Sequence, residues 1–131
     1  MSNSNLFESE KITRKRRIDP RLQQLGWTIM PYVLGLDTSA LTHHAVEEYP
    51  TSNGPADYAL FVEGRLLGIL EAKKVTVSTM NTLEQAKRYA KGLVHSIGTW
   101  NGYMVPFLYS SNGEQVWFLD VRDGANLSRL L

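Results

Sequence analysis

The sequence predicts an α/β fold, a mixed central β-sheet flanked by helices, and three observations point to it. Helical periodicity opens the chain at Leu6, Ile12, Ile18, Leu22 and Leu25, and returns at Leu83, Ala86, Ala90, Leu93 and Ile97. Between these helices lie short apolar runs bounded by turn residues, the clearest being Gly54 to Ala72. After the second helix a further pair of runs, Gly102 to Ser110 and Gln115 to Val121, brackets the turn Ser111-Asn112-Gly113-Glu114. An order of helix, strands, helix and hairpin suits helices layered on a sheet.

At 131 residues and 43% hydrophobic content, the chain is sized for one compact domain with a real core. The formal net charge of +1 conceals a basic cluster, Lys11, Arg14, Lys15, Arg16 and Arg17, which either meets phosphates or coats a helix. The absence of cysteine excludes disulfides and thiolate metal sites. No apolar run approaches the roughly 20 residues that cross a bilayer, and the start has no signal-peptide hydrophobic region, so a cytoplasmic location is expected.

Taken in order, the first helical segment runs from about Leu6 to the stop at Gly26. Pro20 divides it into pieces near 6–18 and 20–25, with Asp19 as the cap of the second, because proline is tolerated in a first turn and disfavoured in a helix interior. Trp27 to Val33 reads as a strand with Pro31 inside it, Gly35 to Thr42 as a loop, and His43 to Tyr49 as an edge strand. Pro50 to Pro55 is the strongest turn cluster. Thr76 to Thr82 is a polar connection in which Thr79 or Thr82 would cap the second helix, which ends near Val94 or Ser96. Gly92 lowers the intrinsic stability of that helix by roughly 1 kcal/mol relative to alanine and leaves room for a close approach. Leu127 to Leu131 carries no terminator.

The run from Gly54 carries charges that a half-buried hairpin does not need. Asp57 opens its first strand, and Glu71 and Lys73 close the second on one face of the pleat. A three-residue loop at Glu63-Gly64-Arg65 pairs Val62 with Leu66 and sets Asp57 across from Glu71. A different loop length would separate them. Two facing carboxylates suit a hard cation such as Mg²⁺ or Mn²⁺, which relieves their mutual repulsion, and Lys73 is placed to orient or deprotonate a water. That is the chemistry of phosphodiester hydrolysis. The bland alternative is an ordinary strand-end ion pair, since Glu-x-Lys is a common tripeptide.

Pro55-Ala56-Asp57-Tyr58 followed by Glu71-Ala72-Lys73 resembles the core of the PD-(D/E)xK nuclease superfamily, and Gln85 with Tyr89 resembles the Gln-x-x-x-Tyr motif of a subset of it. With Thr13-Arg14, Ile18-Asp19-Pro20, Gly26-Trp27, Asn112-Gly113-Glu114 and Asp120, nearly the whole chain is similar to the N-terminal nuclease domain of type I restriction enzyme R subunits. The resemblance implies a restriction-endonuclease-like core and Mg²⁺-dependent cleavage of double-stranded DNA. It also implies that Asp57, Glu71 and the Ala72 carbonyl bind the metal, with Mn²⁺ able to substitute, and that Lys73 is the catalytic lysine. Glu10, or alternatively Glu8, stands for the glutamate that the family carries on its first helix, and Ile12 departs from the glutamate often found beside Thr13. Gln85 and Tyr89 would contact DNA or support the site. A translocase that uses ATP would follow in the parent R subunit, with methylation and specificity subunits as partners; this chain has no phosphate-binding loop of its own.

Other residues are given plainer roles. Arg14 to Arg17 could hold DNA phosphates or form a solvated face, with Arg14 itself a candidate DNA-binding or site-supporting residue. His43 and His44 are adjacent on a strand and point to opposite faces, which argues against one shared metal. Trp27 and Trp117 are expected in the core, Trp100 is left open as core or base-stacking platform, and Glu47 and Glu48 either approach the metal or, the favoured reading, decorate an edge strand. Two other readings stay open: a catalytically passive nuclease-like module that only binds DNA, and a stand-alone repair or recombination nuclease.

Overall fold

A computed structural model describes residues 9–74, 83–93, 97–122 and 129–130. Helices α1 (Glu10–Thr13) and α2 (Asp19–Gln24) are joined by a π-helical turn, Arg14–Ile18. The strands are β1 (Thr28–Pro31), β2 (His43–Thr51), β3 (Gly54–Val62), β4 (Arg65–Ala72), β5 (Phe107–Ser111), β6 (Val116–Asp120) and β7 (Arg129–Leu130), and α3 (Leu83–Lys91) lies between β4 and β5. They form one mixed sheet in the order β1 to β7. The β1–β2 and β4–β5 pairs are parallel and the others antiparallel.

Each face of the sheet carries helix. Leu83, Ala86, Tyr89 and Ala90 of α3 pack with Val46, Ala59, Phe61, Ile69, Leu108 and Leu119 on one face. On the other, Ile18 and Leu22 pack with Ala45, Tyr58, Leu60, Leu70 and Ala72. The α/β arrangement expected from the sequence is therefore present as three layers, and its strands alternate between two cores because successive side chains point to opposite faces.

Several element boundaries differ from expectation. The first helical segment is not broken at Pro20. Instead the wide π turn precedes the proline, with the Asp19 N–H bonded to the Arg14 carbonyl, so the helix absorbs the missing donor without stopping. Asp19 does not cap α2, because its carboxylate accepts the Tyr58 hydroxyl proton and pairs with Lys15. Pro31 ends β1, which is itself the sheet edge, where the missing N–H costs little. β2 is consequently an interior strand, not an edge. The Pro50 to Pro55 cluster contributes only Ser52 and Asn53 to the turn, because Thr51 and Gly54 already pair. β5 begins at Phe107, after the Trp100–Tyr103 bridge, and Ser111 is its last residue. Asn112 Oδ1 then turns the chain by accepting the Glu114 and Gln115 N–H groups. α3 ends at Lys91, short of the expected Val94 or Ser96, because Gly92 has left the helix and its carbonyl accepts the Ser52 N–H of the β2–β3 turn. The proposed helix start at Leu6, the caps Thr79 and Thr82, and Leu127 lie outside the described residues.

The β3–β4 hairpin decides the site. Its turn holds two residues, Glu63 and Gly64, with φ of 50° and 76°, the left-handed pair that a type I′ turn requires. Val62 therefore pairs with Arg65, not Leu66 as the three-residue loop required. Two strands in that register would set Asp57 opposite Leu70. A β-bulge intervenes: Phe61 pairs with Leu66 but Leu60 pairs with Gly68, leaving Leu67 as the extra residue. Tyr58 then pairs with Leu70, and the same register continued brings Asp57 level with Glu71.

Candidate metal and phosphodiester site

Tyr58↔Leu70 is the last pair of the β3–β4 ladder, although both strands continue. From there β3 stays with β2 and β4 stays with β5. Side chains replace the lost ladder: the Asp57 N–H donates to Glu71 Oε2 at 2.8 Å, and the Ala72 N–H donates to Asp57 Oδ2 at 2.7 Å. The carboxylates are thus fixed reciprocally by each other's strands where the two part.

Glu71 is 1% exposed. Burial, and then the nearby Asp57 charge, push its carboxyl up to about 9. Burial also raises Asp57, against the lowering pull of the Ala72 N–H and Arg14. Two carboxylates that resist ionising together are a donor set that a hard divalent cation fits, since a cation removes the repulsion that raises both. Among the described residues no group of three or more His, Cys, Asp or Glu side chains converges as metal ligands. The set offered is therefore the pair, with backbone and water oxygens to complete it, which matches the habit of Mg²⁺ of retaining waters.

Lys73 follows the end of β4, anchored by its N–H to the Ser111 carbonyl at 2.9 Å. Its ammonium lies 3.6 Å from Glu10 Oε2, so the first helix does bring an acid to the lysine. Glu8 lies outside the described residues. Gln85 Nε2 donates to the Tyr89 hydroxyl at 3.0 Å. Tyr89 is buried, and its ring lies against Gly54 at the start of β3, where an added Cβ would come within 3.2 Å. Among the described residues neither of the two hydrogen-bonds to Asp57, Glu71 or Lys73.

Arg14 is in the site. Its guanidinium donates to Glu48 Oε1 at 2.6 Å, to Glu47 Oε2 at 2.8 Å and to the Asp57 carbonyl at 3.3 Å, and lies 3.6 Å from Asp57 Oδ1. It also stands 4.8 Å above the Tyr58 ring. With its side chain 12% exposed, Arg14 is committed to protein carboxylates more than to solvent.

Glu47 and Glu48 are site neighbours, although the sequence favoured an edge-strand role for them. Consecutive strand residues normally point to opposite faces, yet both reach one guanidinium. The reason is Glu48, which has φ of 56° and sits between the pairs Glu47↔Tyr58 and Tyr49↔Ala56, level with Asp57. A glutamate in the left-handed region costs on the order of 1 kcal/mol. Nothing in the residue type announces it, because glycine or asparagine would be the usual occupant.

The remaining candidates have structural partners. The His43 ring stacks on Trp27 at 3.9 Å, and the His44 ring accepts the Thr42 N–H, so the two histidines do serve different places. Trp27 packs against the α1–α2 core, and Trp100 and Trp117 against the α3 core.

A family profile described as the type I restriction enzyme EcoKI endonuclease subunit second domain matches residues 28–131. The chain is 26% identical, over an alignment 175 positions long, to the type I restriction enzyme EcoKI endonuclease subunit of Escherichia coli (strain K12), covering 97% of this chain and 15% of that protein. A solved structure titled for the type IIG restriction endonuclease BpuSI is similar with a TM-score of 0.46 and 20% identity, over 60% of this chain and 9% of that one. The chain therefore spans a small fraction of either relative's length. Among the described residues no helix is long and apolar enough to cross a membrane. With its profile match running from the first strand to the last residue, the chain belongs to the family of the type I restriction enzyme endonuclease subunit second domain.

Proposed function

We propose that this chain is the nuclease part of a type I restriction R subunit, cleaving phosphodiester bonds of double-stranded DNA with Mg²⁺, or Mn²⁺ in its place. The observation that carries this reading is the reciprocal pair Asp57 and Glu71 at the parting of β3 and β4, with Lys73 directly beyond. Asp57, Glu71 and the Ala72 carbonyl would hold the cation. When bound, it supplies charge neutralisation at the phosphate and a more acidic water.

The chain's own residues account for the rest. Lys73 would hold the attacking water by its ammonium and offset charge developing on the phosphate. Glu10 would keep that ammonium aimed, given the 3.6 Å ion pair. Gln85 and Tyr89, bonded to one another on α3, would support the β2–β3 end of the site or meet the DNA strand. ATP would be used only by a motor elsewhere in the parent protein. Methylation and specificity subunits would supply sequence recognition, and a cytoplasmic setting follows from such an assembly.

Asp57→Ala, Glu71→Ala and Lys73→Ala are each expected to abolish DNA cleavage by the parent enzyme while circular dichroism shows the chain still folded. Cleavage at the wild-type rate by any of the three would overturn the assignment.

A further inference from the structure

We propose that Arg14 is a positioning residue of the carboxylate pair: a resident cation, clamped by Glu47 and Glu48, that orients Asp57 and limits how tightly the site takes up a divalent cation. The inference rests on the metal-site reading above and concerns residues that reading does not use.

Three features carry it. First, the guanidinium touches Asp57 twice, at its carbonyl and its carboxylate, while bonding to two carboxylates of the neighbouring strand. It therefore ties β2 to β3 level with the site. Second, the clamp depends on a strained backbone at Glu48, which lets two consecutive residues grip one side chain. An ordinary surface ion pair needs no such strain. Third, the helix is registered by a second set of contacts. Lys15 bridges Asp19 and Glu47 at 3.3 Å each, and Asp19 accepts the hydroxyl proton of Tyr58, the ring beneath Arg14. The π turn contains both Arg14 and Lys15 and leads directly into Asp19.

The electrostatic consequences are opposite in sign for the two sides of the clamp. A positive charge 3.6 Å from Asp57 Oδ1 competes with any cation that Asp57 binds, whereas Glu48 draws that positive charge away and adds negative potential. Removing Arg14 should tighten cation binding, and removing the Glu48 charge should weaken it. A purely structural role would weaken binding in both cases.

Calorimetric titration of the chain with Mn²⁺ tests this. Arg14→Gln is expected to bind about tenfold more tightly than wild type, and Glu48→Gln several-fold more weakly. Arg14→Lys keeps the charge and loses the fork, so it should bind Mn²⁺ within about twofold of wild type. The parent enzyme carrying Arg14→Lys should nevertheless cleave at least about tenfold more slowly, because lysine cannot bridge both strands. Thermal melts establish folding, and if Arg14→Gln fails to fold, the Glu48→Gln and Arg14→Lys titrations decide. Unchanged or weaker binding by folded Arg14→Gln, or unchanged binding by Glu48→Gln, would overturn the proposal. Wild-type chain that binds no Mn²⁺ through Asp57 and Glu71 would instead overturn the metal-site reading, and this inference with it.

Discussion

Asp57 and Glu71 hold each other through the backbone: the amide of Asp57 is bonded to the Glu71 carboxylate, and the amide following Glu71 is bonded to the Asp57 carboxylate. Each acid stands in for a carbonyl that the ladder would have supplied. A site built this way remains ordered without a cation, at the cost of holding a proton on Glu71, because burial and the neighbouring Asp57 disfavour a second charge there.

That cost gives a pH dependence. The Glu71 carboxyl titrates near 9 in the folded chain against an ordinary value of 4.5. A raised pKa means that the folded state holds the proton more tightly than the unfolded chain. Its stabilising contribution is complete below the ordinary value and is lost as pH rises through the folded one. In excess chelator, the melting temperature should therefore fall across about pH 5 to 9, and Glu71→Gln should flatten that slope. At pH 8 the same variant should be more stable than wild type by about 1–2 kcal/mol in chelator and gain nothing from Mn²⁺. An unchanged slope in Glu71→Gln would show that another group is responsible.

The bulge at Leu67 makes a second, less intuitive prediction. Deleting Leu67 leaves Phe61 facing Leu66 and Leu60 facing Gly68, so the two strands zip without an extra residue and Asp57 stays level with Glu71. Mn²⁺ affinity of the deletion variant should remain within about threefold of wild type, a shift of under 1 kcal/mol. Loss of binding in a folded variant would mean that the local twist of the bulge shapes the site, and not register alone.

Gly92 follows Lys91, the last residue of α3, so alanine there gains little of the roughly 1 kcal/mol that separates the two residues in a helix interior. Its Cβ would meet Ser52 Oγ at 2.7 Å, Asn53 Nδ2 at 2.9 Å and the Asn53 backbone nitrogen at 3.1 Å. The β2–β3 turn is also tied to α3 through the Ser52 N–H on the Gly92 carbonyl and Asn53 Nδ2 on the Arg88 carbonyl. Overpacking should win, so Gly92→Ala is expected to lose about 1–3 kcal/mol in urea denaturation. A stabilised variant would show that the turn yields freely.

How far the residues spoke for themselves can be judged from particular cases. The two helical periods, the alternation along β3 and β4 and the turn residues depend on local preferences, so the layered α/β order was legible. So were Asp57 and Glu71 as acids that a hairpin does not need, and Gly92 as a site of close approach. The expected register was right at Asp57 for the wrong local reason. A two-residue turn shifts the pairing by one, a bulge shifts it back, and neither leaves a distinctive residue type.

The sequence by itself determined which side chains are available and their periodicity, because those follow from steric and hydrophobic preferences acting within a few residues. Tertiary structure alone decided that β2 is interior, that Pro20 rides on a π turn, and that Glu47 and Glu48 share Arg14. Each of these depends on contacts between distant segments, and at Glu48 such contacts hold a left-handed backbone that the residue's own type disfavours.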